Sequence, residues 1–275
     1  MRRTILTFTT VTAATLLALI TVFLPNLPAA TGPLVMSALV VIFALTWPRL
    51  VSSVWRWDIS AALGIAGLLA IWSVALLPVT ARFSTTTTEL WLAPVGGAVA
   101  VGVLAVFIIQ IFSLPGGVDR FLTTSILALG AVIAVTSAGW TMLLRNKYEV
   151  AIGSLGVERI SGVTWLMLTI FAALAAASLL TLLPGRRGMR MIAVVIGAIL
   201  VAVALQILRP GPLSVPAVVA AGIAGLLVAL VDSFADSTEV PIGELAHPLT
   251  AVAVGSGTVM ATGMVSYFVI HALPW

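Results

Sequence analysis

Long apolar runs separated by short polar breaks dominate the chain, and their length decides the element type. The runs lie at 4–24, 31–47, 58–80, 91–113, 121–144, 161–183, 191–208, 213–232 and 248–270. About 20 apolar residues in a helix cross the ~30 Å hydrocarbon core of a bilayer, so each run predicts a transmembrane helix. A membrane barrel would instead show alternating segments of about ten residues, and open strands leave backbone groups unsatisfied in lipid. The pattern predicts an all-α, polytopic helical membrane protein of about nine transmembrane helices, a single integral membrane domain over residues 1–275. The runs 31–47 and 191–208 are short, which predicts that they stand near the membrane normal.

The breaks have a pattern of their own. Trp47-Pro48-Arg49 leads on to Arg56-Trp57. Leu114-Pro115-Gly116-Gly117-Val118-Asp119-Arg120-Phe121 follows the fourth run, and Leu183-Pro184-Gly185-Arg186-Arg187-Gly188-Met189-Arg190-Met191 follows the sixth. In each, a proline ends one helix and an arginine precedes the next. One reading is an internal repeat, a lone first helix followed by four helical hairpins (spans 2–3, 4–5, 6–7 and 8–9). The plainer reading is that Pro, Gly and Arg are the ordinary residues of short cytoplasmic turns. The last turn, 233–247, lacks the pattern.

Composition removes whole classes of function. Hydrophobic residues make up 61% of the chain and charged residues 8%. A soluble domain carries about a quarter charged residues, so a water-soluble fold is excluded. There is no cysteine, which removes disulfides, thiolate metal sites, iron–sulfur clusters and thiol catalysis. The isoelectric point near 10.7 arises from basic residues scattered singly at span ends, which points to membrane orientation rather than nucleic acid. With the N-terminus inside, Arg2, Arg3, Arg49, Arg56, Arg120, Arg186, Arg187 and Arg190 are cytoplasmic. Arg82, Arg145, Lys147, Arg159 and Arg209 are then external. The bias predicts a cytoplasmic N-terminus and an external C-terminus. Trp47, Trp55, Trp57, Trp91, Trp140 and Trp165 fall at span ends or in short loops, where interfacial rings belong, and Trp72 sits inside a span. Twelve arginines against one lysine, with Ala, Val, Leu and Gly abundant, fit a GC-rich bacterial genome and hence a bacterial plasma membrane. The run from Thr4 to Leu24 exceeds the 7–15 residues of a signal-peptide core, so it is expected to remain as the first span.

Ala93-Pro94-Val95-Gly96-Gly97 through Phe107-Ile108-Ile109-Gln110, the turn to Arg120, and the run ending Ser137-Ala138-Gly139-Trp140 resemble a group of actinobacterial multi-pass membrane proteins loosely called permeases. The similar part covers the middle and C-terminal two-thirds of the chain. The resemblance implies a bacterial membrane setting; it brings no functional residue, because none is established for the group.

Ionisable groups deep in a membrane are costly and mark function. None lies near the centre of a predicted span here, which argues against a charge-lined channel or a proton-driven pump. His247 and His271 fall near span ends on opposite sides, which argues against a bis-His haem. No metal, cofactor or catalytic motif is present. The densest acidic group is Asp232, Asp236 and Glu239, with Glu244 and His247 beyond. The first three share one face if the eighth helix continues, and would serve as a cation site or a contact for a basic partner; the alternative is a solvated acidic loop. In the ninth span Ala251, Gly255, Thr258, Thr262 and Ser266 form one stripe of small and hydroxyl side chains. This is a packing surface, or Gly255-Ser256-Gly257 unwinds the helix and exposes backbone to a substrate.

Two functions follow. One is a permease-like carrier or flippase for an uncharged or lipid-like substrate, bound by Gly255, Ser256, Gly257, Thr258, Thr262 and Ser266 in a cavity of hydroxyls, glycine backbone and tryptophan. The other is a non-catalytic scaffold or assembly subunit for cell-envelope proteins, meeting membrane protein partners. An intramembrane enzyme is the weakest reading, since Glu158–Arg159 and Asp232–His247 are poor acid–base pairs.

Overall fold

The computed structural model describes residues 2–23, 28, 30–51, 56–76, 92–113, 118–144, 157–208, 214–236 and 248–272. Among them there is no strand. The helices are α1 (Arg2–Phe23), α2 (Thr31–Thr46), α3 (Trp57–Leu76), α4 (Leu92–Ser113), α5 (Val118–Thr136), α6 (Val157–Leu180), α7 (Arg187–Leu208), α8 (Val215–Asp236) and α9 (Pro248–Ala272). Among the described residues, eight helical stretches are long and apolar enough to cross a membrane; α6 contributes a shorter apolar stretch, Thr164–Leu180. Phe8, Phe112, Phe121, Ile192 and Leu200 lie exposed on the outer faces. Apolar surface of that extent suits lipid rather than water, so the chain is a membrane-embedded helical protein.

The two short runs are longer in space than in sequence. Behind α2 a 3-10 turn, Trp47–Leu50, carries the span through Pro48 to 20 residues. Helix α7 starts at Arg187 and takes Arg190 into its buried face. The arginine that interrupts the apolar run is neutralised by a partner, so it does not end the span. Pro94 and Pro216 sit in the first turns of α4 and α8, where no intrahelical bond is lost, so they do not kink mid-span.

Helices α2 to α5 pack in succession, as do α6 to α8, while α1 packs on α6 and α9. Helix α9 touches α1, α8, α2 and α5 and so joins the two groups. In its span 61% of residues are buried, against 22% for α7 and 28% for α4, which makes α9 the centre and those two the periphery. Glycines make the closest crossings: a methyl added at Gly225 would meet the Ala198 methyl at 2.6 Å, and one at Gly102 would meet Ala66 at 2.8 Å. The described charged side chains, Arg49, Arg56, Asp58, Arg186, Arg187, Arg190 and Asp232, all lie at one end of the bundle, called here the charged end.

Two tryptophans expected as interfacial rings are buried inside the bundle. Trp140 is fully buried and Trp47 is 6% exposed. Each indole N–H is satisfied inside the protein, on the carbonyls of Val259 (2.7 Å) and Ile126 (3.0 Å), so neither ring needs interfacial water. Trp57, at 67% exposure, does face outward. Trp55 and Trp91 lie outside the described residues.

Candidate functional site

The stripe on α9 is integral to the packing. The helix runs unbroken through Gly255-Ser256-Gly257. The expected unwinding is absent, and each hydroxyl in this part bonds its own helix rather than a cavity. Ser256 donates to Val252 O (2.8 Å), Thr258 to Val254 O (2.8 Å) and Thr262 to Val259 O (2.7 Å). Gly255 lies against α1, where an added methyl would stand 3.0 Å from Leu6 O, and Thr10 Oγ1 donates to its carbonyl at 3.4 Å. Ser266 is buried as well. Of the six proposed binding residues, Gly255, Ser256, Thr262 and Ser266 are therefore placed in helix contacts.

Gly257 and Thr258 are placed differently. They line a cleft of about 580 Å³ between α5, α8 and α9. Ile126, Leu129 and Ile133 of α5 form one wall and Leu227, Leu230 and Val231 of α8 the other. Val254, Gly257, Thr258 and Ala261 form the back, and Trp47 and Leu50 close the charged end. Leu129 and Leu230 are 52% and 49% exposed, so the mouth between them faces lipid. The volume falls within the ~300–1,000 Å³ of small-molecule sites. The cleft includes glycine, tryptophan and one hydroxyl side chain, but where a cavity of hydroxyls was expected its wall is almost wholly hydrocarbon. Both polar groups in it, the Thr258 hydroxyl and the Trp47 N–H, are already bonded to carbonyls. A sugar or amino acid would find, among these lining side chains, only the Thr258 hydroxyl oxygen left to accept one hydrogen bond, and would lose most of its hydration without return.

At the charged end, Asp232 is buried and paired. Arg190 Nε donates to Asp232 Oδ2 at 2.7 Å, with side chains only 4% and 3% exposed. Beside it Arg187 Nε donates to Ser233 Oγ at 2.6 Å. The pair fastens α7 to α8 and gives Asp232 a cationic partner within the protein. The side chain of Asp236 and all of Glu239 lie outside the described residues, as do Glu244, His247 and the Glu158 side chain. Neither the pair nor the cleft walls carry a sequence signal: the walls read as lipid-facing apolar residues, and the two charges stand 42 residues apart. The chain matches no protein-family model, no curated protein and no solved structure, so no residue role reaches it from a relative.

Proposed function

We propose that the protein is permease-like and takes the hydrocarbon chain of a lipid-like amphiphile into the cleft between α5, α8 and α9, helping it cross the bilayer. The carrying observation is the cleft itself: an apolar wall with a single hydroxyl side chain, and a mouth toward lipid. An alkyl chain is the ligand that such a wall stabilises, through burial of about 25 cal/mol per Å² and no hydrogen bond. The charged end faces the cytoplasm on this reading, since arginines concentrate there.

The test uses acyl-chain bromination. Trp47 is shielded except where it lines the cleft, so a variant retaining Trp47 as its only tryptophan reports occupancy. In nanodiscs of lipid brominated along the acyl chain, Trp47 fluorescence should be quenched. Unquenched Trp47 emission in a folded protein would remove the proposal.

A second reading, a membrane scaffold, draws on α4. Gly96 and Gly97 are exposed, and a methyl added at either meets nothing within 4 Å, leaving a small-residue surface for another helix. Copurification of a partner, lost on Gly96→Leu, would favour it.

A further inference from the structure

We propose that the occupant of the cleft is an anionic phospholipid drawn from the leaflet at the charged end, its chain against α5, α8 and α9 and its headgroup beside Arg49. This inference deepens the cleft reading above and rests on it.

The cleft reaches through one half of the bundle. It begins at the charged end with Trp47 and Leu50, and its α8 wall ends there at Val231, the neighbour of the paired Asp232. It then runs along Ile126 to Ile133 of α5 and Val254 to Ala261 of α9, about 10 Å of helix in each. Half of a ~30 Å hydrocarbon core is about 15 Å, so the cleft covers most of one leaflet's depth. From Ile133 to Leu144, where that span ends, about 16 Å of helix remains.

The remaining half is sealed. Gly139 lies directly on the backbone of Gly263 and Met264, and a methyl added at Gly263 would stand 2.6 Å from the Trp140 ring. Trp140 donates to Val259 O at 2.7 Å, and its ring centroid stands 4.6 Å from that of Phe171. Met142, Leu143 and Leu144 are buried as well. Chains of the far leaflet end near the bilayer centre, where the cleft also ends, and find no gap between 138–144 and α9. The chain that fills the cleft therefore comes from the charged-end leaflet.

A lipid of that leaflet keeps its headgroup at the interface, where the protein's charge lies. Of the seven described charged side chains there, five are arginines. Both aspartates are held by arginines, Asp58 by Arg56 at 2.8 Å and Asp232 by Arg190 at 2.7 Å. The balance is positive. Arg49 stands in the 3-10 turn Trp47–Leu50, between two residues that line the cleft. The Trp47 indole, donating to Ile126 O at 3.0 Å, pins that turn. The Arg49 guanidinium is thereby kept within one side-chain length of the cleft's charged end. A headgroup with net negative charge gains from it, while a zwitterionic headgroup brings its own cation and gains less.

Trp47 of the single-tryptophan variant stands at that end, so chain position and headgroup are read separately. In nanodiscs, bromines near the carbonyl end of the chain should quench Trp47 more than bromines near the terminal methyl. The reverse order would overturn the leaflet assignment. Brominated phosphatidylglycerol, diluted in unlabelled phosphatidylcholine, should quench at about one-fifth of the mole fraction that brominated phosphatidylcholine needs. Arg49→Gln should abolish that preference and Arg49→Lys should keep it. Arg186→Gln, which removes the same charge before α7 and outside the cleft lining, should also keep it. Equal loss from Arg49→Gln and Arg186→Gln would overturn the headgroup assignment. So would equal quenching by the two lipids in the starting variant, which decides the matter even where Arg49→Gln fails to fold. That equality rejects the anionic occupant and keeps the cleft reading; no quenching by either lipid removes both.

Discussion

Arg190 and Asp232 form a buried ion pair, Nε to Oδ2 at 2.7 Å, that locks the start of α7 to the end of α8. Both charges are almost wholly withdrawn from solvent, so each depends on the other. Asp232→Ala leaves a guanidinium buried without its carboxylate and should cost about 3–5 kcal/mol, read as a lowered unfolding temperature in detergent. Replacing both residues with apolar side chains (Arg190→Met with Asp232→Leu) should restore most of that loss. An unfolding temperature unchanged by Asp232→Ala would show that the pair does not stabilise the fold.

Gly139 and Gly96 make opposite predictions for one substitution. A methyl at Gly139 would overlap the Gly263 backbone, which has no room to yield, so Gly139→Ala should destabilise by about 1–3 kcal/mol. Gly96 meets nothing within 4 Å, and Gly96→Ala should be neutral or stabilise by up to about 1 kcal/mol through helix propensity. Parallel unfolding curves test both, and equal effects would contradict the Gly139 crossing.

Occupancy of the cleft should respond to volume and ignore the hydroxyl. Ala261→Phe fills the back of the cleft and should remove most quenching of Trp47 by chain-brominated lipid. Thr258→Val should leave it, because that hydroxyl is already bonded to Val254 O. If Thr258→Val abolished quenching instead, the occupant would be using a polar contact and the alkyl-chain assignment would fail.

At the opposite end, Gln206 ties α7 to α6 and to the start of α8. Its Nε2 donates to Thr169 Oγ1 at 3.0 Å and its Oε1 accepts from the Ser214 backbone N–H at 3.3 Å. Gln206→Leu strands a buried N–H and should cost about 1–3 kcal/mol. Thermal unfolding of that variant, with Ile207→Leu as the exposed control, measures the difference.

Apolar runs alone place the spans, because crossing hydrocarbon is a local demand on about 20 consecutive residues. The sequence therefore determined the helices, their approximate ends and their membrane setting. It also marked Gly257 and Thr258 among its candidates. Its reading of α9 as a helix able to unwind gave way, since α9 runs unbroken with Gly255 held against α1 and Gly257 against Phe43. Trp140 near a span end read as an interfacial ring; its acceptor, Val259, is 119 residues away and appears only when the helical stretch 138–144 crosses α9. Asp232 read as one of an acidic group, and its partner Arg190 on α7 is a neighbour in space alone. A cleft wall of Leu and Ile has the same hydropathy as a lipid-facing surface. Tertiary structure decided which apolar residues face lipid and which face one another, because those outcomes depend on helix crossings set by residues far apart in the chain.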